Sequence, residues 1–127
     1  MSKKTAEFLF SPQALQDLED IRVHTLLNFG EKILDLYDDL IFQSIRDLSL
    51  DTKRFGVTCV DEIGSGCRVY HMKYSKSANK SNKQGIKNPR HFILFQQSMN
   101  DQFEILSIIH EKRHISFLEN RIQNRQI

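Results

Sequence analysis

Apolar and polar positions alternate along the chain in three different rhythms, and each rhythm predicts an element. Glu7-Phe8-Leu9-Phe10 is a short β-like run that stops at Ser11-Pro12. Ser11 can cap exposed N–H groups and Pro12 suits the first helical position, so a helix starts here. Leu15, Leu18, Ile21, Leu26 and Phe29 follow at roughly helical spacing, which assigns Asp17, Glu19 and Asp20 to the outer face. Gly30 is the stop, since glycine adopts the positive φ that closes helices. The next repeat is the cleanest in the chain: Ile33, Leu36, Tyr37, Leu40, Ile41, Ser44, Ile45 and Leu48 recur at three and four residues. So short a link predicts an antiparallel helical hairpin whose stripes need a further layer to bury them.

The second half changes to strand periodicity. Val57 to Val60 has weak β character, Gly64-Ser65-Gly66 is a turn, and Cys67 to Tyr74 is rich in β-branched and aromatic residues. Phe92-Ile93-Leu94-Phe95 and Phe103 to Ile109 are apolar on both faces, as expected of central strands, with turn chemistry at 98–101 between them. Phe117, Leu118 and Ile122 predict a short final helix. The expected fold is α+β: an N-terminal strand, a helical hairpin on one face of a small, mainly antiparallel sheet, and a short C-terminal helix.

A length of 127 residues suits one domain spanning the whole chain. No apolar run reaches the roughly 20 residues that span a bilayer, and the N-terminus lacks a signal-peptide pattern, so a cytoplasmic protein without membrane contact is expected. Cys59 and Cys67 are read as buried thiols, not a disulfide. The net charge of +2 conceals an asymmetry: residues 1–63 hold 7 basic and 12 acidic residues, residues 64–127 hold 11 basic and 4 acidic. The basic half includes 75–89, a lysine-rich segment expected to form a mobile loop between strands.

Candidate chemistry gathers around the last two strands, whose ends carry Arg90, His91, His110, Lys112, Arg113 and His114. An apolar platform with a basic rim suits an anionic partner. His110-Glu111-Lys112-Arg113-His114 has the His-Glu-x-x-His spacing of zinc peptidases. That motif needs a helix to bring both histidines to one face, and here it follows a strand, so no metal and no cofactor are assigned.

Taken in order, these segments resemble the RelE/ParE superfamily of bacterial toxins, on the ParE side, from about Phe8 to Leu118. The resemblance rests on Ser11-Pro12 with Asp17-Leu18-Glu19-Asp20-Ile21, on Asn28-Phe29-Gly30, and on Gly66-Cys67-Arg68. Its strongest parts are Arg90 to Phe95 and Ile105-Leu106-Ser107-Ile108-Ile109-His110. The long 75–89 segment departs from the family's short loop, and Arg113-His114 stands where an Asp is frequent. The resemblance implies a toxin of a type II toxin–antitoxin system, neutralised by a cognate antitoxin and inhibiting DNA gyrase by protein–protein contact without being an enzyme. On that reading Arg68, Arg90, His110 and Arg113 are the target contacts. The alternative branch is a RelE-like ribosome-dependent mRNA endonuclease. There Arg68, Lys73, Arg90, His91 and His110 are the residues available for acid, base and phosphate-stabilising roles.

Overall fold

A computed structural model of the chain describes residues 5–75 and 86–113. The elements are β1 (Glu7–Phe10), α1 (Pro12–Phe29), α2 (Glu31–Leu50), β2 (Val57–Cys59), β3 (Cys67–His71), β4 (His91–Met99) and β5 (Gln102–His110), with a 3₁₀ turn at Met72–Tyr74. They form one five-stranded sheet in the order β1-β5-β4-β3-β2. β1 runs parallel to β5 and every other pair is antiparallel. The architecture is therefore α+β. The helical hairpin carries the chain from one edge of the sheet to the other.

The hairpin forms as its sequence dictates. Ser11 Oγ accepts the Ala14 N–H at 3.0 Å and Pro12 opens α1. Gly30 breaks the helix at φ +88°, a backbone state that side-chain-bearing residues rarely adopt. Arg22 and Asp38, equidistant from Gly30 on the two helices, pair at 3.1 Å. Tyr37, Leu40, Ile41, Ser44 and Leu48 of α2 are buried as the periodicity predicts, against Ile93, Phe95, Phe103, Ile105 and Ile108 of the sheet. The opposite face of the sheet buries Leu94, Leu106 and Ile109 with Val60 and Ile63.

α1 departs from its predicted stripe. Leu15, Leu26 and Phe29 are exposed, and the buried positions are Ala14, Asp17, Ile21 and Thr25. The cause is a stretch of sheet edge. β1 ends where Phe10 meets Ile105, so β5 runs on with no strand along that edge. α1 satisfies that edge itself. The Ser11 N–H donates to Ile105 O at 3.0 Å, and the Ser11 hydroxyl donates to Leu106 O at 3.0 Å. Asp17 Oδ2 accepts the Ile108 N–H at 3.0 Å and the Ser107 hydroxyl at 2.5 Å. An unpaired backbone donor buried against a helix demands an acceptor, and that demand outweighs the apolar pattern.

Other differences are local. β3 ends at His71, and Met72 to Tyr74 turn away from the sheet to meet α2, where Ser75 Oγ donates to Asp47 at 2.6 Å. Val57 to Cys59 is a true edge strand. Cys67 is buried, but Cys59 on that edge is exposed, and both are free. The expected C-terminal helix, and most of the 75–89 segment expected to be mobile, lie outside the described residues.

Candidate functional site

Three strands finish at the same end of the sheet with a histidine. His71 ends β3, His91 opens β4 and His110 ends β5. His91 and His110 are directly cross-strand, with ring centroids 5.3 Å apart. The β4–β5 pairing places them there, because strands of equal length joined by a tight turn at Asn100-Asp101 end together.

α2 adds a residue read from sequence only as core. Tyr37 Oη accepts the Arg90 N–H at 3.1 Å and lies 2.6 Å from His91 Nδ1. Burial lowers the His91 pKa to about 4, with His110 and His71 adding repulsion. Burial likewise raises Tyr37 to about 12. The clue in the sequence was a tyrosine within an apolar stripe, whose hydroxyl needs a partner once covered.

A second network wraps the outside of the same end. Glu111 Oε2 lies 2.7 Å from His71 Nε2, and Oε1 accepts from Arg90 Nη1 at 3.0 Å. These hydrogen bonds, to His71 first and Arg90 second, pull the Glu111 pKa down to about 2. The His71 ring is oriented by the Lys73 N–H, which donates to its Nδ1 at 3.1 Å. His110 Nδ1 accepts the Lys112 N–H at 3.1 Å in the same manner. Neither His71 nor Glu111 was among the expected site residues. The β4–β5 hairpin brings Glu111 to Arg90, and the pairing of β3 beside β4 brings His71 to both.

Beside this cluster a groove of about 840 Å³ runs between the helical hairpin and the sheet end. Ile21, Phe29, Ile33 and Ile86 give it an apolar wall, Arg90, Lys112 and Arg113 give it a cationic rim beside His110, and Asp20 adds one acid to the lining. Ile86 and Asn88 fall at the end of the segment read as an insertion, yet they line this groove. Arg113 also lines a smaller depression on the other side, with His71, Lys73, Val69 and Phe92.

The expected site residues therefore divide. Arg90, His91, His110 and Arg113 come together, with Lys73 at the margin, its ammonium 5.2 Å above the Tyr74 ring. Arg68 does not join them. It pairs with Phe95 in the β3–β4 register, toward the opposite end of the sheet, where its guanidinium lies 5.5 Å over the Phe103 ring and donates to Thr52 O at 3.4 Å. Its stem and charge cover core aromatic surface. His110 ends a strand, not a helix, and Glu111 turns from it toward His71, so the zinc-peptidase arrangement is not formed at these two residues.

The profile of the family described as "ParE toxin of type II toxin-antitoxin system, parDE" matches residues 8–115. The chain belongs to the ParE toxin family. Its fold is similar to a solved structure titled "Chromosomal ParDE TA system from P. aeruginosa", at a TM-score of 0.60 and 14% identity, covering 86% of this chain and 98% of that one. A comparison with curated protein sequences finds no match. As a ParE family member the chain is the toxin component of a type II toxin–antitoxin system. No helix among the described residues is long and apolar enough to cross a membrane.

Proposed function

We propose that this ParE family toxin inhibits DNA gyrase by protein–protein contact, through the groove and cationic rim at the His91–His110 end of the sheet, and that a cognate antitoxin neutralises it. The observation that carries this reading is the make-up of the groove: an apolar wall beside Arg90, His110, Lys112 and Arg113. Apolar surface with a mainly basic rim, in which Asp20 is the one acid among the described residues, suits a folded protein partner with an acidic patch.

The alternative, mRNA cleavage on the ribosome, receives less support from the same residues. General acid–base catalysis works best with groups that titrate near the operating pH. Burial takes His91 down to about 4 and Tyr37 up to about 12, both away from neutrality. Arg68, a candidate phosphate contact, sits toward the far end of the sheet.

The deciding experiment is controlled expression of the protein in bacteria, followed by parallel measurement of gyrase-linked DNA breaks and of mRNA cleavage. The gyrase reading expects DNA breaks and intact mRNA. In-frame mRNA cuts without DNA breaks would overturn it. Co-expression of the antitoxin should restore growth in either case.

A further inference from the structure

Glu111 bridges two donors, His71 and Arg90, that come from different parts of the chain. His71 ends β3, Arg90 stands just before β4, and Glu111 lies in the turn after β5. One carboxylate oxygen faces each donor, at 2.7 Å and 3.0 Å. The donors are preset by backbone. The Lys73 N–H fixes the His71 ring so that Nε2 presents its proton outward, and Arg90 is anchored on both sides by its N–H to Tyr37 Oη and its carbonyl to the Glu111 N–H. The Glu111 side chain, by contrast, stands on an exposed turn. The Arg90 side chain is 57% exposed and that of Glu111 32%, so water screens this pair and competes for it. Lys73 and Arg113 line the depression beside His71, and Lys112 lies on the groove side.

We infer that His71 and Arg90 form a carboxylate-binding position which Glu111 fills in the free protein, and which an acidic side chain of a partner protein takes in the complex. It rests on the reading of this end of the sheet as the contact surface. The ligand class follows from the geometry in hand, where a planar carboxylate already bridges the two donors with one oxygen each. Displaced, Glu111 swings into solvent. The partner's acid then meets a rim holding Arg90, Lys112 and Arg113.

The test removes the internal occupant from the full chain. The probe is an acetylated, amidated hexaglutamate peptide, titrated at low salt by calorimetry, with the His71 imidazole followed by NMR. Glu111→Ala should bind it at least tenfold more tightly than the unmodified protein, with the His71 resonances shifting. Adding Arg90→Ala should abolish the gain. Glu111→Gln, which keeps the size and removes the charge, should also gain and serves as the readout if the alanine variant unfolds. Equal affinity of all forms, or a gain that survives Arg90→Ala, would overturn the inference. So would a gain for inorganic phosphate without one for hexaglutamate, which would make the position a phosphate site. The readout is binding, so it fails or succeeds separately from the gyrase assay.

Discussion

Tyr37 Oη lies 2.6 Å from His91 Nδ1, and this contact ties the middle of the second helix to the first residue of a central strand. It packs His91 against α2 and positions Arg90, whose N–H uses the same phenol oxygen. Tyr37→Phe removes the partner of both groups. Loss of a buried acceptor costs about 1–3 kcal/mol. A urea unfolding midpoint should register that loss, and the Arg90 amide should lose hydrogen-exchange protection.

The His91 shift makes stability depend on pH. Its pKa falls from 6.5 in the unfolded chain to about 4 in the fold, so between these values the unfolded state binds the extra proton. This contribution is complete above pH 6.5 and is lost as pH falls toward 4. The full span is at most about 3 kcal/mol at 1.36 kcal/mol per unit. Denaturant unfolding at a series of pH values should show this decline, and His91→Gln should flatten it. A slope unchanged by that substitution would assign the dependence to other groups.

Asp17 is a sharper stability test. Asp17→Ala leaves the Ile108 N–H and the Ser107 hydroxyl without their carboxylate partner inside the fold. Breaking such charge-assisted bonds costs about 2–4 kcal/mol. Leu27→Ala, at a residue 78% exposed on the same helix, should change stability by less than about 0.5 kcal/mol. Equal effects on the unfolding midpoint would refute the account of the β5 edge.

Two glycines separate backbone strain from collision. Gly30 and Gly56 both hold positive φ, +88° and +100°. A Cβ at Gly30 meets nothing within 4 Å, whereas one at Gly56 lies 2.5 Å from the Tyr74 ring. Gly30→Ala should cost about 1–2 kcal/mol from backbone strain alone. Gly56→Ala should cost more, about 3 kcal/mol with the overpacking included. Thermal unfolding of the two variants gives the order directly.

Arg113 and Arg68 should behave as opposites. Arg113 is exposed at the rim and Arg68 covers Phe103. Arg113→Ala is expected to fold normally, bind antitoxin and lose much of its toxicity, since a charge contact desolvated in a complex is worth about 2–5 kcal/mol. Arg68→Ala should lose about 0.5–1 kcal/mol of stability and keep its toxicity. Colony survival on induction, paired with unfolding curves, checks both. Full toxicity in a folded Arg113→Ala protein would take this residue out of the contact surface.

The sequence by itself determined what is local. The Ser11-Pro12 start, the Gly30 break, the α2 stripe and the β4–β5 hairpin each follow from a few neighbouring residues, whose caps, φ preferences and periodicities act over one or two turns. Because that hairpin is local, Arg90, His91, His110 and Arg113 were already legible as one group. The tertiary structure alone decided the rest. Asp17 looked like a surface acid because its role depends on a backbone donor 91 positions away. Tyr37 looked like core because its hydroxyl finds His91 only after α2 lies on the sheet. Glu111 and His71 met only through strand order, and Arg68 left the group because the β3–β4 register carries it toward the other end. Hydrogen bonds between distant segments leave no period in a sequence. They follow from which edges and strand ends the packed layers leave unsatisfied.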